Sequence, residues 1–112
     1  MKQLNIEYSR TDERGTLVQV STGDWKQLNH LIIKKGKMFG GHYHKLKKEL
    51  FYCLGGKVIM KVERDGTIFN FELITGDSFL IEPLDKHTIF AYEDSELMEL
   101  LSHSYSEDDI YV

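Results

Sequence analysis

The stretch GKMFGGHYHKLKKELFYCLGG, residues 36–56, decides how this chain folds. Gly36 is followed after five residues by His42-Tyr43-His44, after four more by Glu49 and after six more by Gly56. Side chains two apart on a strand leave the same face, so His42 and His44 present their imidazoles to one point while Tyr43 turns away. A short connection, Lys45 to Lys48, then lets Glu49 open the next strand facing the same interior. By the same parity Cys53 points inward with Glu49 and Phe51, as a buried, inert thiol.

Outward from this stretch the chain breaks into short β-branched and aromatic runs separated by Gly, Asp and Lys. The pattern predicts strands over 17–21, 27–34, 38–44, 49–54, 57–63, 67–74, 78–82, 87–92 and 97–104. Turns fall at Gly55-Gly56, Asp65-Gly66 and Gly76-Asp77, each reversing a strand. The run Glu96 to Leu101 contains good helix formers, but its place after a strand and turn keeps it β. Such even spacing signals an all-β barrel or sandwich. Its length of 112 residues suits a single domain, 1–112, and the acidic, aromatic end from Tyr105 to Val112 reads as a short cap or a partly ordered tail.

Apolar residues make up 41% of the chain, enough to fill one core, and a formal charge of −4 without a basic cluster argues against nucleic acid as partner. Lys34, Lys35, Lys37, Lys45, Lys47 and Lys48 surround the histidine pair and read as a solvated loop rim in preference to an anion-steering patch. The single cysteine excludes an internal disulfide, no run is long enough to span a membrane, and no apolar leader opens the chain, so the cytoplasm is the expectation.

A further nitrogen for the site has to come from a distant strand, and His87 is placed for it, after Ile81-Glu82-Pro83 and before Thr88-Ile89-Phe90. Three imidazoles with one carboxylate suit one divalent transition metal, whether Zn, Fe, Ni, Mn or Cu, and suit Ca or Mg poorly. His30 and His103 lack such spacing and read as a strand residue and a surface residue. Leu50, Tyr52 and Leu54 make the other face of their strand apolar, so a second sheet or another subunit has to cover it.

The pattern G-x5-H-x-H-x4-E-x6-G from Gly36 to Gly56 resembles the first motif of the cupins, complete at every fixed position. Gly76, Pro83 and His87 resemble the glycine, proline and histidine of the second, in which Leu84 replaces the usual inner glycine and Ala91 the terminal asparagine. The resemblance implies a double-stranded β-helix, the jelly-roll cupin barrel, with a metal on His42, His44, Glu49 and His87, and a homodimer.

Asp12-Glu13-Arg14-Gly15-Thr16-Leu17, Gly41 to Lys45, and the ending from Ser102 through Tyr105 to Ile110 are similar to small cupins of nucleotide-sugar metabolism: ketoisomerases, epimerase-related proteins and capsular-polysaccharide domains. In the ketoisomerases the two motif histidines are catalytic without a metal, which implies His42 and His44 as acid and base, and glutamine often stands where this chain has Glu49. The capsule-type domains resemble a zinc site instead. Phe39-Gly40 replaces the Arg-Gly of the ketoisomerases, so one phosphate or sugar contact implied by them is missing.

The function expected is therefore a metal-binding isomerase or epimerase of a nucleotide-linked sugar in surface-polysaccharide metabolism. An Fe- or Ni-dependent dioxygenase and a non-catalytic small-molecule binding module are the alternatives.

Overall fold

The computed structural model describes residues 1–112 as strands joined by short turns. One antiparallel sheet runs in the order β1 (Lys2–Leu4), β9 (Ser78–Ile81), β6 (Glu49–Gly55), β11 (Ser95–Leu101), β4 (Gln27–Ile33). The second runs β5 (Met38–His42), β10 (Lys86–Ala91), β7 (Lys57–Arg64), β8 (Thr67–Ile74). The strands β2 (Tyr8–Asp12) and β3 (Gly15–Gln19) pair only with each other, and a short 3-10 turn spans Glu107–Asp109. This is the expected all-β jelly roll.

Period-two alternation builds the core. Val58, Met60 and Val62 of β7 and Ile89 and Ala91 of β10 point inward to meet Phe51 and Cys53 of β6, Phe79 and Ile81 of β9, and Leu97 of β11. Each of the Val, Leu, Ile, Phe and Met side chains among them contributes about 1.5–3 kcal/mol on leaving water. Glu96 to Leu101 lies in a strand because Leu97 and Leu101 alternate into this core, which outweighs helix propensity. Cys53 is buried as expected, and burial raises its thiol pKa.

Two features depart from the sequence reading, and a third decides between the cap and the partly ordered tail it left open. The hairpin β2–β3 begins earlier than the expected strand at 17–21, and its polar, two-sided exposure carries no alternation to read. The turns at Gly55-Gly56 and Gly76-Asp77 pass the chain from one sheet to the other, whereas Asp65-Gly66, both at positive φ, closes a hairpin with Arg64 opposite Thr67. The tail is anchored: Tyr111 and Tyr43 form a β-bridge.

On the outer face, Leu28, Leu100, Leu50 and Leu80 lie side by side across β4, β11, β6 and β9. Leu50 is buried, Tyr52 is half-buried, and Leu28, Ile32 and Leu54 stay exposed.

Candidate functional site

The four residues expected at the site come together. His42 ends β5 directly opposite His87 on β10, and Glu49 opens β6 in the facing sheet. His44 lies just beyond β5, not within it, where the Tyr43–Tyr111 bridge prolongs the extended chain. The ring centroid of His42 stands 4.8 Å from that of His44 and 4.9 Å from that of His87. One ligating atom from each of His42, His44, Glu49 and His87 falls within 4.8 Å of the others, and all but His42 are buried.

Gly40 permits this approach. Its φ is +103°, and a Cβ there would stand 2.6 Å from the carbonyl oxygen of His87, so only glycine lets β5 and β10 close at this level. A β-bulge between His87 and Thr88 marks the same place.

Two of the imidazoles are oriented by backbone carbonyls. His87 Nδ1 donates to the oxygen of Asp85 at 3.0 Å, and His44 Nδ1 donates to that of Asp109 at 2.5 Å. A carbonyl only accepts, so the Nε2 atoms are left to face the cluster. There His44 Nε2 is 2.5 Å and His87 Nε2 3.6 Å from Glu49 Oε1. His44 Nε2 and Glu49 Oε1 are buried without a hydrogen-bond partner. A nitrogen lone pair and a carboxylate oxygen this close are stable only with a proton or a cation beside them. The donor set therefore fits a divalent transition ion, with histidines held at Nδ1 by other groups.

The electrostatics follow from burial. Desolvation, reinforced by the neighbouring His87 and His44, pushes the His42 pKa down to about 4. Burial also lowers that of His87. For Glu49, burial acts to raise the pKa, but the adjoining His44, Glu99 and His87 hold it well below the usual carboxylate range.

Glu99 was not foreseen from the sequence. It lies on the inward face of β11 between Leu97 and Leu101, takes a 2.9 Å hydrogen bond from Asn29 Nδ2, and faces Glu49. Burial, then Glu49, raises its pKa, so this carboxyl keeps its proton while Glu49 stays ionised. Parity was the available signal, since a charged residue between two inward leucines is out of place in a core.

Two cavities flank the cluster, and His42 and Glu99 line both. One, of about 270 Å³, is walled by Leu31, Phe39, Phe51 and Ile89; the other, of about 150 Å³, by Asn29, Lys47, Tyr105 and Ile110. Lys47 corrects the loop-rim reading. It is 4% exposed, it lines the smaller cavity, and its Nζ stands 5.9 Å from the Tyr105 ring. The other five lysines of that group stay exposed. His30 pairs with Glu96 on the surface and His103 with Ser102, both away from the cluster.

Two sheets closed over a histidine–carboxylate cluster define a small jelly-roll barrel with its site inside. Residues 29–104 match the model of the family described as Cupin domain, and the chain belongs to that family. Among solved structures, a double mutant of the 3,4-ketoisomerase QdtA from Thermoanaerobacterium thermosaccharolyticum, in complex with TDP, has a TM-score of 0.85 and 26% identity, covering 97% of this chain and 84% of that one.

The WlaRB TDP-quinovose 3,4-ketoisomerase of Campylobacter jejuni has a TM-score of 0.87 at 16% identity, covering 98% and 90% of the two chains. The rmlC epimerase of Mycobacterium tuberculosis has a TM-score of 0.81 at 20% identity, covering 96% and 66%. The resemblance to sugar ketoisomerases and epimerases is thus found in structure as well as in motif. No curated protein sequence matches the chain.

Proposed function

We propose that this chain is a single-domain cupin enzyme that isomerises or epimerises a keto-sugar carried on a nucleotide, in the building of surface polysaccharide. The observation that carries the reading is His42: among the four clustered groups it alone is not fully buried, it lines both cavities, and burial leaves it neutral. A neutral imidazole in a largely apolar cavity is suited to lift a proton from the carbon beside a carbonyl and return it to the neighbouring carbon. His44 is the second proton-handling group of the reading, and the protonated carboxyl of Glu99 can donate to a developing oxyanion.

In the alternative, metal-loaded form of the same reading, His42, His44, Glu49 and His87 would instead hold a divalent transition ion, Zn, Fe, Ni or Mn, which would supply a Lewis acid for the keto oxygen and leave the proton transfer to an adjacent carboxylate such as Glu99. Support for this comes from the convergence of the four ligating atoms and from the unpartnered His44 Nε2 and Glu49 Oε1. A cavity of about 270 Å³ suits a sugar ring and not a whole nucleotide sugar, so the nucleotide would lie outside it. A second copy of the chain is the partner proposed for the exposed Leu28, Ile32 and Leu54. No helix is long and apolar enough to cross a membrane, and the free thiol of Cys53 suits a reducing cytoplasm.

Proton NMR of TDP-4-keto-6-deoxyglucose in deuterated water tests the activity, with the chain as purified, after chelation, and as His42→Ala. Deuterium entering beside the keto group with the first sample and not the third is expected. No exchange in any sample would remove the isomerase reading. Elemental analysis of the purified chain decides the ion, and abundant redox-active iron would favour the dioxygenase alternative.

A further inference from the structure

The segment Ser106–Tyr111 belongs to neither sheet, yet it is fastened along the loop that follows His44. Asp109 Oδ1 accepts the amide of Lys45 at 2.8 Å, both carboxylate oxygens accept that of Leu46 at 3.3 Å, and Oδ2 accepts that of Lys47 at 3.3 Å. Although burial acts to raise the pKa of this carboxyl, the amide donors hold it below the usual range, so it is ionised. The main-chain oxygen of the same residue accepts His44 Nδ1. Two backbone hydrogen bonds join Tyr43 and Tyr111, their rings stack at 5.3 Å, and Lys45 Nζ lies 4.3 Å from the Tyr111 ring.

The site uses this arrangement twice. Asp85 is fully buried, its carboxylate accepts Glu82 N at 2.9 Å and Arg64 Nη1 at 2.7 Å, and its carbonyl accepts His87 Nδ1. In both cases an aspartate side chain accepts backbone N–H, from its own turn at Asp85 and from the distant loop 45–47 at Asp109, and the carbonyl of that same residue fixes an imidazole of the cluster.

We propose that Asp109 is a positioning residue with two effects: it holds His44 as the Nδ1–H tautomer with Nε2 turned to Glu49, and it folds Lys45–Lys47 so that Lys47 is brought into the site wall. The inference rests on the reading of His44 as a site residue, but the tautomer is observable without turnover. Loss of the carboxylate leaves three buried or half-buried amides without acceptors and removes the anchor of the carbonyl that orients His44. Outer groups of this kind typically alter activity or metal affinity 10- to 100-fold, that is, by about one to two powers of ten.

Long-range proton–nitrogen NMR of the histidine rings, in the full chain freed of metal, tests the proposal. At a pH where the ring is neutral, His44 of the unaltered chain is expected as a single Nδ1–H tautomer. In Asp109→Ala it is expected to become a mixture of tautomers while His87, held by Asp85, keeps its pattern. Solvent exchange into the keto-sugar is expected to fall at least tenfold in kcat with KM little changed.

Asp109→Asn, which keeps one acceptor oxygen, is expected to retain most of the tautomer preference, and it serves if the alanine variant does not fold. An Nε2–H tautomer of His44 in the unaltered chain, or an unchanged His44 pattern in a folded Asp109→Ala, would overturn the proposal. Absence of turnover with every nucleotide sugar tested would count against the isomerase reading and leave the tautomer result standing.

Discussion

Leu84 sits at φ +75°, in the left-handed region, at the position where the second cupin motif usually has glycine. Its side chain is 50% exposed, and its N–H donates to the oxygen of His44 at 2.7 Å, so this strained residue helps join the β9–β10 turn to the site. A non-glycine residue in this conformation costs about 1–2 kcal/mol, while glycine's extra chain entropy costs about 0.5–1 kcal/mol relative to alanine.

Leu84→Gly and Leu84→Ala both discard the leucine contacts, so that loss cancels in their comparison. The glycine variant is expected to be more stable by roughly 0.5–1 kcal/mol, the difference of those two costs. At exposed Asn70, in β8 and not at positive φ, the order should reverse, with alanine ahead of glycine. Urea denaturation resolves the difference as a midpoint shift of about 0.5 M at the slope usual for a small domain. An alanine variant equal to or more stable than the glycine variant at position 84 would show that backbone strain there is absent or relaxed.

Gly40→Ala should force β5 and β10 apart, because its Cβ meets the His87 oxygen at 2.6 Å; a loss of roughly 2–4 kcal/mol in urea, with disturbed His42 and His87 ring signals, is expected. His42 should titrate near pH 4 in the metal-free chain, followed by NMR at Cε1–H. Its folded pKa is lowered, so the stability linked to it is complete above the unfolded value near 6.5 and is lost as pH falls toward 4; a midpoint near 6.5 would contradict its desolvation. Glu99 has a raised pKa, so its linked stability is complete below its unfolded value and disappears as pH rises through the folded one. Glu99→Gln should remove that alkaline loss, seen by comparing urea midpoints at pH 6 and pH 9.

The first motif could be read in the sequence because its spacing is local: period-two strands fix His42, and the six residues 43–48 of connection bring Glu49 round to the same interior. His87 could be placed only with the help of the second motif, since its meeting with His42 depends on a register across two strands. Glu99 and Asn29 stayed hidden for that reason, their approach being set by the pairing of β11 with β4. Lys47 looked like its solvated neighbours because its burial depends on Asp109 and Tyr105, far along the chain. The hairpin β2–β3 escaped because neither of its faces meets a core, which leaves polar and apolar residues unordered along it.

The cluster straddles two sheets: Glu49 and Glu99 belong to one, His42 and His87 to the other. It therefore acts as a gauge of the gap between them. A substitution at Leu73 or Val58 that lets the sandwich breathe would spoil the alignment of imidazole and carboxylate without touching either. Loss of activity from such distant packing changes should then track the spacing of the layers, and need not track the overall free energy of unfolding.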